Sequence, residues 1–223
     1  MDVRRLVDEQ VDYYRKRAGE YDATATPPGD SLAIFGDQLA IALDRFRPEG
    51  DVLEIACGTG GWTLQLVHHA SRITALDSSP EMLELAAARL GNDPRVHFLS
   101  ADVFSWEPDD RYDVVFFTNW LSHVPLPLFD DFWATVRRAL RPGGRVFLLD
   151  ELQDAWRHEE LDEQFVDGID VPIVQRSLPD GRRFLVVKVL WSATDLASAL
   201  QSLGWNFDVH PVGPFFWAEG QID

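Results

Sequence analysis

Cysteine is almost absent: Cys57 is alone among 223 residues. One thiol excludes an internal disulfide and any metal site built from several cysteines. Long apolar runs are missing too, since none approaches the roughly 20 residues that span a bilayer. The amino-terminal stretch Met1–Asp22 lacks the apolar core of a secretory signal. A cytoplasmic protein is therefore expected. Positive charge is scarce, with 20 Lys and Arg against 37 Asp and Glu and a formal charge of −17. No local basic patch reverses that field, which argues against nucleic-acid and anionic-membrane partners and for a small-molecule substrate. The acidic stretch Asp150–Phe165 reads as a solvated helix face. Internal repeats and low-complexity tracts are also lacking.

What is present is an alternation of strands and helices. "YYRKRAGEYDA" reads as a helix, broken by the prolines and glycine of "TATPPGD" (Thr24–Asp30). "SLAIFGDQLAIALDRF" has helical periodicity behind Ser31. Then "DVLEIA" precedes a helix in "GWTLQLVHHA", "RITALD" precedes one in "SPEMLELAAARL", and "VHFLSAD" follows. "YDVVFFTN" comes before a helix at Pro127–Leu140, and "GRVFLLD" closes the series. Continuous Val, Ile, Leu and Phe runs mark strands buried on both faces, so the sheet is expected to be parallel. After Asp150, "VPIVQRSLPDGRRFLVVKVLW" predicts a hairpin turning at Pro179-Asp180-Gly181. A helix in "SATDLASALQSLGW" and a final antiparallel pair in "NFDVHPVGPFFWAEG" complete the chain.

The glycine turn after the first strand, "CGTGG", lies where such sheets bind ligands. It lacks the lysine of a phosphate-gripping P-loop. Trp62-Thr63 also stand where a dinucleotide fingerprint has its third glycine. Glu54, just before the turn, repels pyrophosphate and attracts an ammonium group, while the turn's N–H groups serve a carboxylate or hydroxyls. Asp77 ends the second strand, placed to take both ribose hydroxyls, and Asp102 ends the third, placed to accept an adenine amino group. A nucleoside with an amino-acid end and no phosphate suits this set; S-adenosylmethionine is such a ligand. A nicotinamide cofactor is disfavoured by Glu54 and the missing glycine.

From about Tyr13 onward the chain resembles the class I S-adenosylmethionine-dependent methyltransferases. The resemblance is carried by "LEIACGTG", "ALDSSPEML", "SADVF", "YDVVFFTNWLSHV" and "LRPGGRVFLLDE". It implies a doubly wound, Rossmann-like α/β fold with a seven-stranded sheet whose last strand is antiparallel. The expected layout is one domain over 1–223, with a cap segment at 1–30 and a hairpin insertion at 171–191. By position, Glu54 and the backbone of Ala56, Gly58 and Gly60 would meet the methionine end of S-adenosylmethionine, from which S-adenosylhomocysteine is the product. Asp77 would take the ribose, Met82, Asp102 and Val103 the adenine, Tyr21 would close over the cofactor, and Ser78 and Asn119 are further cofactor-binding positions. Trp62 and Trp120 either wall the pocket or simply pack.

His123, just beyond strand four, is either a base or substrate donor, or a residue stabilising the next helix start. In the hairpin, a three-residue loop with Gly181 left-handed sets Arg176 opposite Phe184. Arg176 and Lys188 then share a face with Val174, Phe184 and Val186. They either form an anion pocket, or snorkel to solvent or pair with the acidic segment before them. "YYRKRAGEYDAT", "FFTNWLSHVP" and "SLPDGRRFLVVKV" are similar to the phosphonate O-methyltransferases of dehydrophos biosynthesis. That resemblance implies that His123, Arg176 and Lys188 face an anionic acceptor. "TATPPGD" departs from it, because an aromatic substrate contact expected there has no counterpart. The expected activity is O-methylation of a small anionic metabolite. O- or N-methylation of a neutral natural product with His123 as base, or a non-catalytic cofactor-binding scaffold, remain the alternatives.

Overall fold

The computed structural model describes residues 2–25, 31–91, 93–153, 166 and 171–222. Most of "TATPPGD" and of the acidic stretch after Gln153 lies outside these residues. Among the described residues no helix is long and apolar enough to cross a membrane.

Helix α1 (Val3–Arg17) starts well before the expected Tyr13. Asp2 caps it, its carboxylate accepting the Arg4 N–H at 3.1 Å. Its buried stripe is Leu6, Val7, Gln10 and Tyr13; the glutamine interrupts the apolar signal that would otherwise announce a helix. A 3₁₀ turn at Ala18–Glu20 leads into a short α2 (Tyr21–Ala25). Helix α3 (Ser31–Phe46) lies where its periodicity put it.

Five strands then build the parallel part of the sheet: β1 (Asp51–Ile55), β2 (Arg72–Asp77), β3 (Val96–Ser100), β4 (Tyr112–Thr118) and β5 (Leu140–Glu151). The chain steps outward from β1 to β3 and then returns to place β4 on the other side of β1. This reversal opens a crevice at the carboxyl ends of β1 and β4. At the far side β9 (Phe215–Ile222) slots antiparallel between β5 and β8 (Trp205–Val212), giving the order β3-β2-β1-β4-β5-β9-β8. The fold is the expected seven-stranded, doubly wound sheet with an antiparallel last strand.

Helix α4 (Thr63–Leu66) is much shorter than "GWTLQLVHHA" suggested. The N–H groups of His68 and His69 tighten onto carbonyls three residues back, because Ser71 and Arg72 must both donate to the Gly50 carbonyl to start β2. Helix α5 (Pro80–Leu90) has Ser79 as cap and Pro80 at its first position. Helices α6 (Phe129–Ala139) and α7 (Ala193–Ser202) follow. One apolar layer gathers Phe117, Phe132, Trp133 and Trp205. The other gathers Leu39, Leu43 and Phe46 of α3 against Val52, Phe116 and Phe147. Here aromatic planes lie face to face across four strands: Phe116 on Phe147 (5.6 Å), Phe147 on Trp217 (5.9 Å) and Trp217 on His210 (3.9 Å).

The hairpin β6 (Ile173–Ser177) and β7 (Arg183–Val187) forms its own two-stranded sheet. Its register pairs Arg176 with Phe184, and Gly181 has φ +84°, as the turn sequence required. Helix α1 covers it. Tyr13 packs with Val174, Phe184 and Val186, and Leu6 with Ile173, Val187 and Val189. Glu9 and Gln10 accept the N–H groups of Leu185 and Val187 at 2.8 and 3.1 Å, satisfying donors along β7.

Candidate active site

The crevice floor is set by backbone geometry. Ala56, Gly58 and Gly60 all have positive φ, of 55°, 55° and 78°. A non-glycine residue in that region is sparsely populated, and such strain gathers at ligand sites. Gly60 is needed twice over, since an added Cβ would stand 3.0 Å from the Ala86 Cβ of α5. The turn is tied to β2 by the Cys57 N–H donating to the Leu76 carbonyl at 3.0 Å. Asp77 locks it further, its two oxygens accepting the Gly58 and Ser79 N–H groups at 2.9 Å each. Burial raises the Asp77 pKa, although N–H bonds from Ser79, Gly58 and Ser78 oppose that shift.

Glu54 is buried beneath the turn, its Oε2 accepting the Thr63 hydroxyl at 2.6 Å. Burial pushes its pKa up to about 8. A carboxyl so displaced is stabilised as the anion by a ligand cation placed nearby. Around it, Ser78 and Asp77 are half-buried, while Met82 and Val103 are buried. Asp102 accepts the Phe104 N–H at 3.0 Å and the Arg4 guanidinium at 3.3 Å. Three carboxylates thus stand at the ends of β1, β2 and just past β3. Glu54 is bonded to Thr63 and Asp77 to the turn, so the acids that end β1 and β2 are built into the crevice floor.

The amino-terminal segment is fastened to this cradle at three points. Arg4 meets Asp102, Arg15 meets Glu81 at 2.9 Å, and Asp22 meets Thr59 of the turn at 2.6 Å and Arg89 of α5. Tyr21 sits among them, with the Arg17 guanidinium 5.0 Å above its ring. Burial raises its pKa, and the Asp77 charge reaches it as well.

A second set of side chains gathers where β4 and β5 end. Asn119 has φ 50°, the third non-glycine residue in the left-handed region, and its N–H donates to the Leu149 carbonyl at 2.7 Å. Trp120 lies 5.7 Å from Phe104, and its indole N–H is buried without an acceptor among the described residues. Trp62, by contrast, packs on Phe116 at 6.1 Å within the α3-side layer.

His123 is buried in a 3₁₀ turn (Leu121–His123). Its Nδ1 is 2.7 Å from the Val187 carbonyl of β7, and its Nε2 is 2.9 Å from the Tyr14 hydroxyl. A carbonyl only accepts, so the ring proton is on Nδ1 and Nε2 receives the tyrosine proton. Burial, then the charge of Lys188, holds the His123 pKa down to about 3, with Arg176 and Arg17 adding to the effect. His123 is therefore a neutral ring with both nitrogens engaged. Gln10 completes the join, donating to the His123 carbonyl at 3.2 Å while accepting from Val187.

Lys188 is 5% exposed. Its Nζ lies 2.8 Å from Glu151 Oε2 and 3.2 Å from Ser122 Oγ. Asp150, also buried, accepts the Ser122 and Glu151 N–H groups at 2.8 Å each. Arg176 is half-buried on the same hairpin face, and its charge acts on both Tyr14 and His123. Lys188 and His123 therefore converge, while Lys188 also pairs with Glu151, the last residue of β5. Sequence reasoning did not find Tyr14, Gln10, Ser122, Asp150 or Glu151 as members of the site. Their signals were an aromatic pair, a polar helix position and plain strand-end acids, none distinctive until the hairpin folds over them.

A family model described as a methyltransferase domain matches residues 52–144. The solved DhpI-SAM-HEP complex is 42% identical, covering 97% of this chain and 97% of that one, with TM-score 0.81. The DhpI-SAH complex gives 41% identity over the same coverage and TM-score 0.80. DhpI is a phosphonate O-methyltransferase of dehydrophos biosynthesis. Malonyl-[acyl-carrier protein] O-methyltransferase of Serratia marcescens is 31% identical over 155 residues, which is 65% of this chain and 56% of that protein. Trans-aconitate 2-methyltransferase of Streptomyces avermitilis is 34% identical over 120 residues, 49% of this chain and 42% of that protein. The matches to these curated relatives thus span about half the length of each.

Proposed function

The chain belongs to the S-adenosylmethionine-dependent methyltransferases, and on that premise we propose that it O-methylates a small acceptor through an anionic oxygen of phosphonate or carboxylate type. The observation that carries this reading is the electropositive site at the β4–hairpin junction. In a chain of formal charge −17, Lys188 is buried beside His123 with Arg176 half-buried on the same hairpin face, and burial first, then the charges of Lys188, Arg176 and Arg17, depress the histidine's proton affinity. Such a place favours an anion.

The residues present fit the cofactor. Glu54 would accept its ammonium, Gly58 and Gly60 would leave room for its methionine end, Asp77 would hold its ribose, and Asp102 with Met82 and Val103 would hold its adenine. Tyr21 and the fastened segment would cover it. When bound, S-adenosylmethionine supplies an electrophilic methyl group on a sulfonium. What the chain supplies is alignment and exclusion of water. Lys188 and Arg176 would fix the acceptor's charge, and the indole N–H of Trp120 would orient one of its oxygens. His123 with Tyr14 would hold the hairpin at the correct height above the crevice. An acceptor that arrives ionised needs no base, and His123 at a pKa of about 3 with its Nε2 occupied is a poor one.

This reading takes residues 1–223 as one methyltransferase domain, with 1–30 as a cap segment and the hairpin 171–191 over the substrate pocket. A cytoplasmic setting accords with the single buried thiol, Cys57. DhpI, a phosphonate O-methyltransferase, and the relatives whose names give a malonyl group and trans-aconitate support an acidic acceptor class. Methyl transfer from labelled cofactor to a panel of small phosphonates, carboxylates, alcohols and amines tests the assignment. Turnover confined to alcohols or amines would refute it.

A further inference from the structure

We infer that Glu151 is a specificity-determining residue: an internal counter-anion on Lys188 that an acceptor's own anionic oxygen must displace. This inference rests on the proposed anionic-acceptor reading. Lys188 is supported asymmetrically. On one side is Ser122, whose backbone N–H is pinned by the buried carboxylate of Asp150 and whose carbonyl accepts the Val189 N–H at 2.7 Å. Ser122 is itself 1% exposed, so it is part of the fixed wall. On the other side is Glu151, the last residue of β5, with its side chain 28% exposed and its carboxylate 2.8 Å from Nζ. A partly exposed carboxylate beside a buried ammonium occupies the place an incoming anion needs.

Two anionic oxygens cannot share one ammonium at contact distance without repelling each other, and the low dielectric around Lys188 strengthens that repulsion. An acceptor anion must therefore push the Glu151 side chain away, while neutral molecules meet no such competition. The contact has a second consequence. A buried lysine left without a counter-charge is costly, so Glu151 keeps the ammonium ionised and in place until substrate arrives. The acceptor then binds by exchange of one carboxylate-type partner for another, and only a well-fitting anion completes the exchange.

Methylphosphonate serves as the probe, titrated calorimetrically into the full-length enzyme saturated with S-adenosylhomocysteine. Glu151→Gln keeps the size and hydrogen-bonding reach of the side chain while removing its charge. We expect it to bind the probe about tenfold more tightly than the native protein. For whichever anionic acceptor is turned over, KM should fall by a similar factor with kcat within about twofold. Glu151→Asp, which draws the carboxylate back by one methylene, should tighten binding by a smaller factor; it serves as the readout if the glutamine variant does not fold. Probe binding that is unchanged or weakened in the folded variants overturns the role of Glu151 while leaving the anionic-acceptor reading intact. Absence of probe binding to both the native protein and the variants overturns both.

Discussion

The hydroxyl of Tyr14, on the amino-terminal helix, stands 2.9 Å from Nε2 of His123, which follows the fourth strand. With Nδ1 bound to the Val187 carbonyl, the imidazole becomes a rivet through three separate parts of the chain. The arrangement fixes tautomer and protonation at once, and its consequences are measurable.

The first concerns pH. Because His123 is already neutral far above its pKa of about 3, kcat/KM for an anionic acceptor should show no histidine inflection between pH 5.5 and 8, a window chosen around the ordinary value of about 6.5. A sigmoidal rise centred near 6.5 that disappears in His123→Gln would restore the base mechanism.

Stability carries the complementary signal. His123 has a folded-state pKa below its unfolded value of 6.5, so the unfolded chain binds the extra proton as pH falls. Its contribution is complete above 6.5 and is lost as pH drops toward 3. Tyr14→Phe removes one buried hydrogen bond and should cost about 1 kcal/mol. Its melting temperature should fall while cofactor affinity remains within about twofold.

Glu54 behaves in the opposite sense. Its pKa is raised from 4.5 to about 8, so in the ligand-free protein its contribution is present below 4.5 and is lost as pH rises through 8. Melting curves of the ligand-free protein should therefore show a declining component from pH 5 to 8 that Glu54→Gln abolishes. Saturating S-adenosylmethionine should diminish that decline in the native protein, because an ammonium beside the carboxylate favours its ionised form. An unaltered slope would place the cofactor's amino group elsewhere.

Asp77 is the cheapest test of the cradle. Replacement by Ala frees two N–H groups that are bonded at 2.9 Å and removes the proposed ribose contact. Cofactor affinity should fall by roughly tenfold to a hundredfold, corresponding to about 1.4 to 2.8 kcal/mol. Calorimetry measures it directly, and a change below threefold would move the ribose away from Asp77.

Lys188→Met preserves length and apolar bulk but deletes the charge. We expect kcat/KM for an anionic acceptor to fall by about a hundredfold or more, as for loss of a charge-assisted hydrogen bond of about 3 kcal/mol. Cofactor binding should be retained. Equal losses of acceptor turnover and cofactor affinity would instead indicate collapse of the whole cleft.

Much of this was legible in the residues. The strands beginning at Asp51, Arg72 and Tyr112 are apolar runs with no helical period, and Pro179-Asp180-Gly181 dictated the hairpin register through one left-handed glycine. Glu54, Asp77 and Asp102 were visible because each stands at or just past the carboxyl end of one of three successive strands beside a single glycine turn. Helix α1 was half hidden, since its buried face includes Gln10, whose purpose is to bond a strand distant in sequence. Pairing of Lys188 with the acidic stretch Asp150–Phe165 was one of the readings the sequence left open, but not that Glu151 is an acid it meets. Strand-end acids and hairpin cations are common, and nothing local says which two will meet. The helix expected in "GWTLQLVHHA" failed because hydrophobic spacing ignores how soon the chain must re-enter the sheet.

The hairpin and helix α1 share an apolar interior of their own, and Glu9, Gln10 and Tyr14 bind the helix to β7 and to the His123 turn, while Arg4 and Arg15 of the same helix reach Asp102 and Glu81. On the proposed reading, acceptor choice would sit in this outer pair and methyl-donor binding in the sheet's crevice, with helix α1 joining the two. Transplanting the two outer pieces together onto a related sheet should transfer the acceptor preference as a package, whereas moving the hairpin alone would strip it of its backing helix.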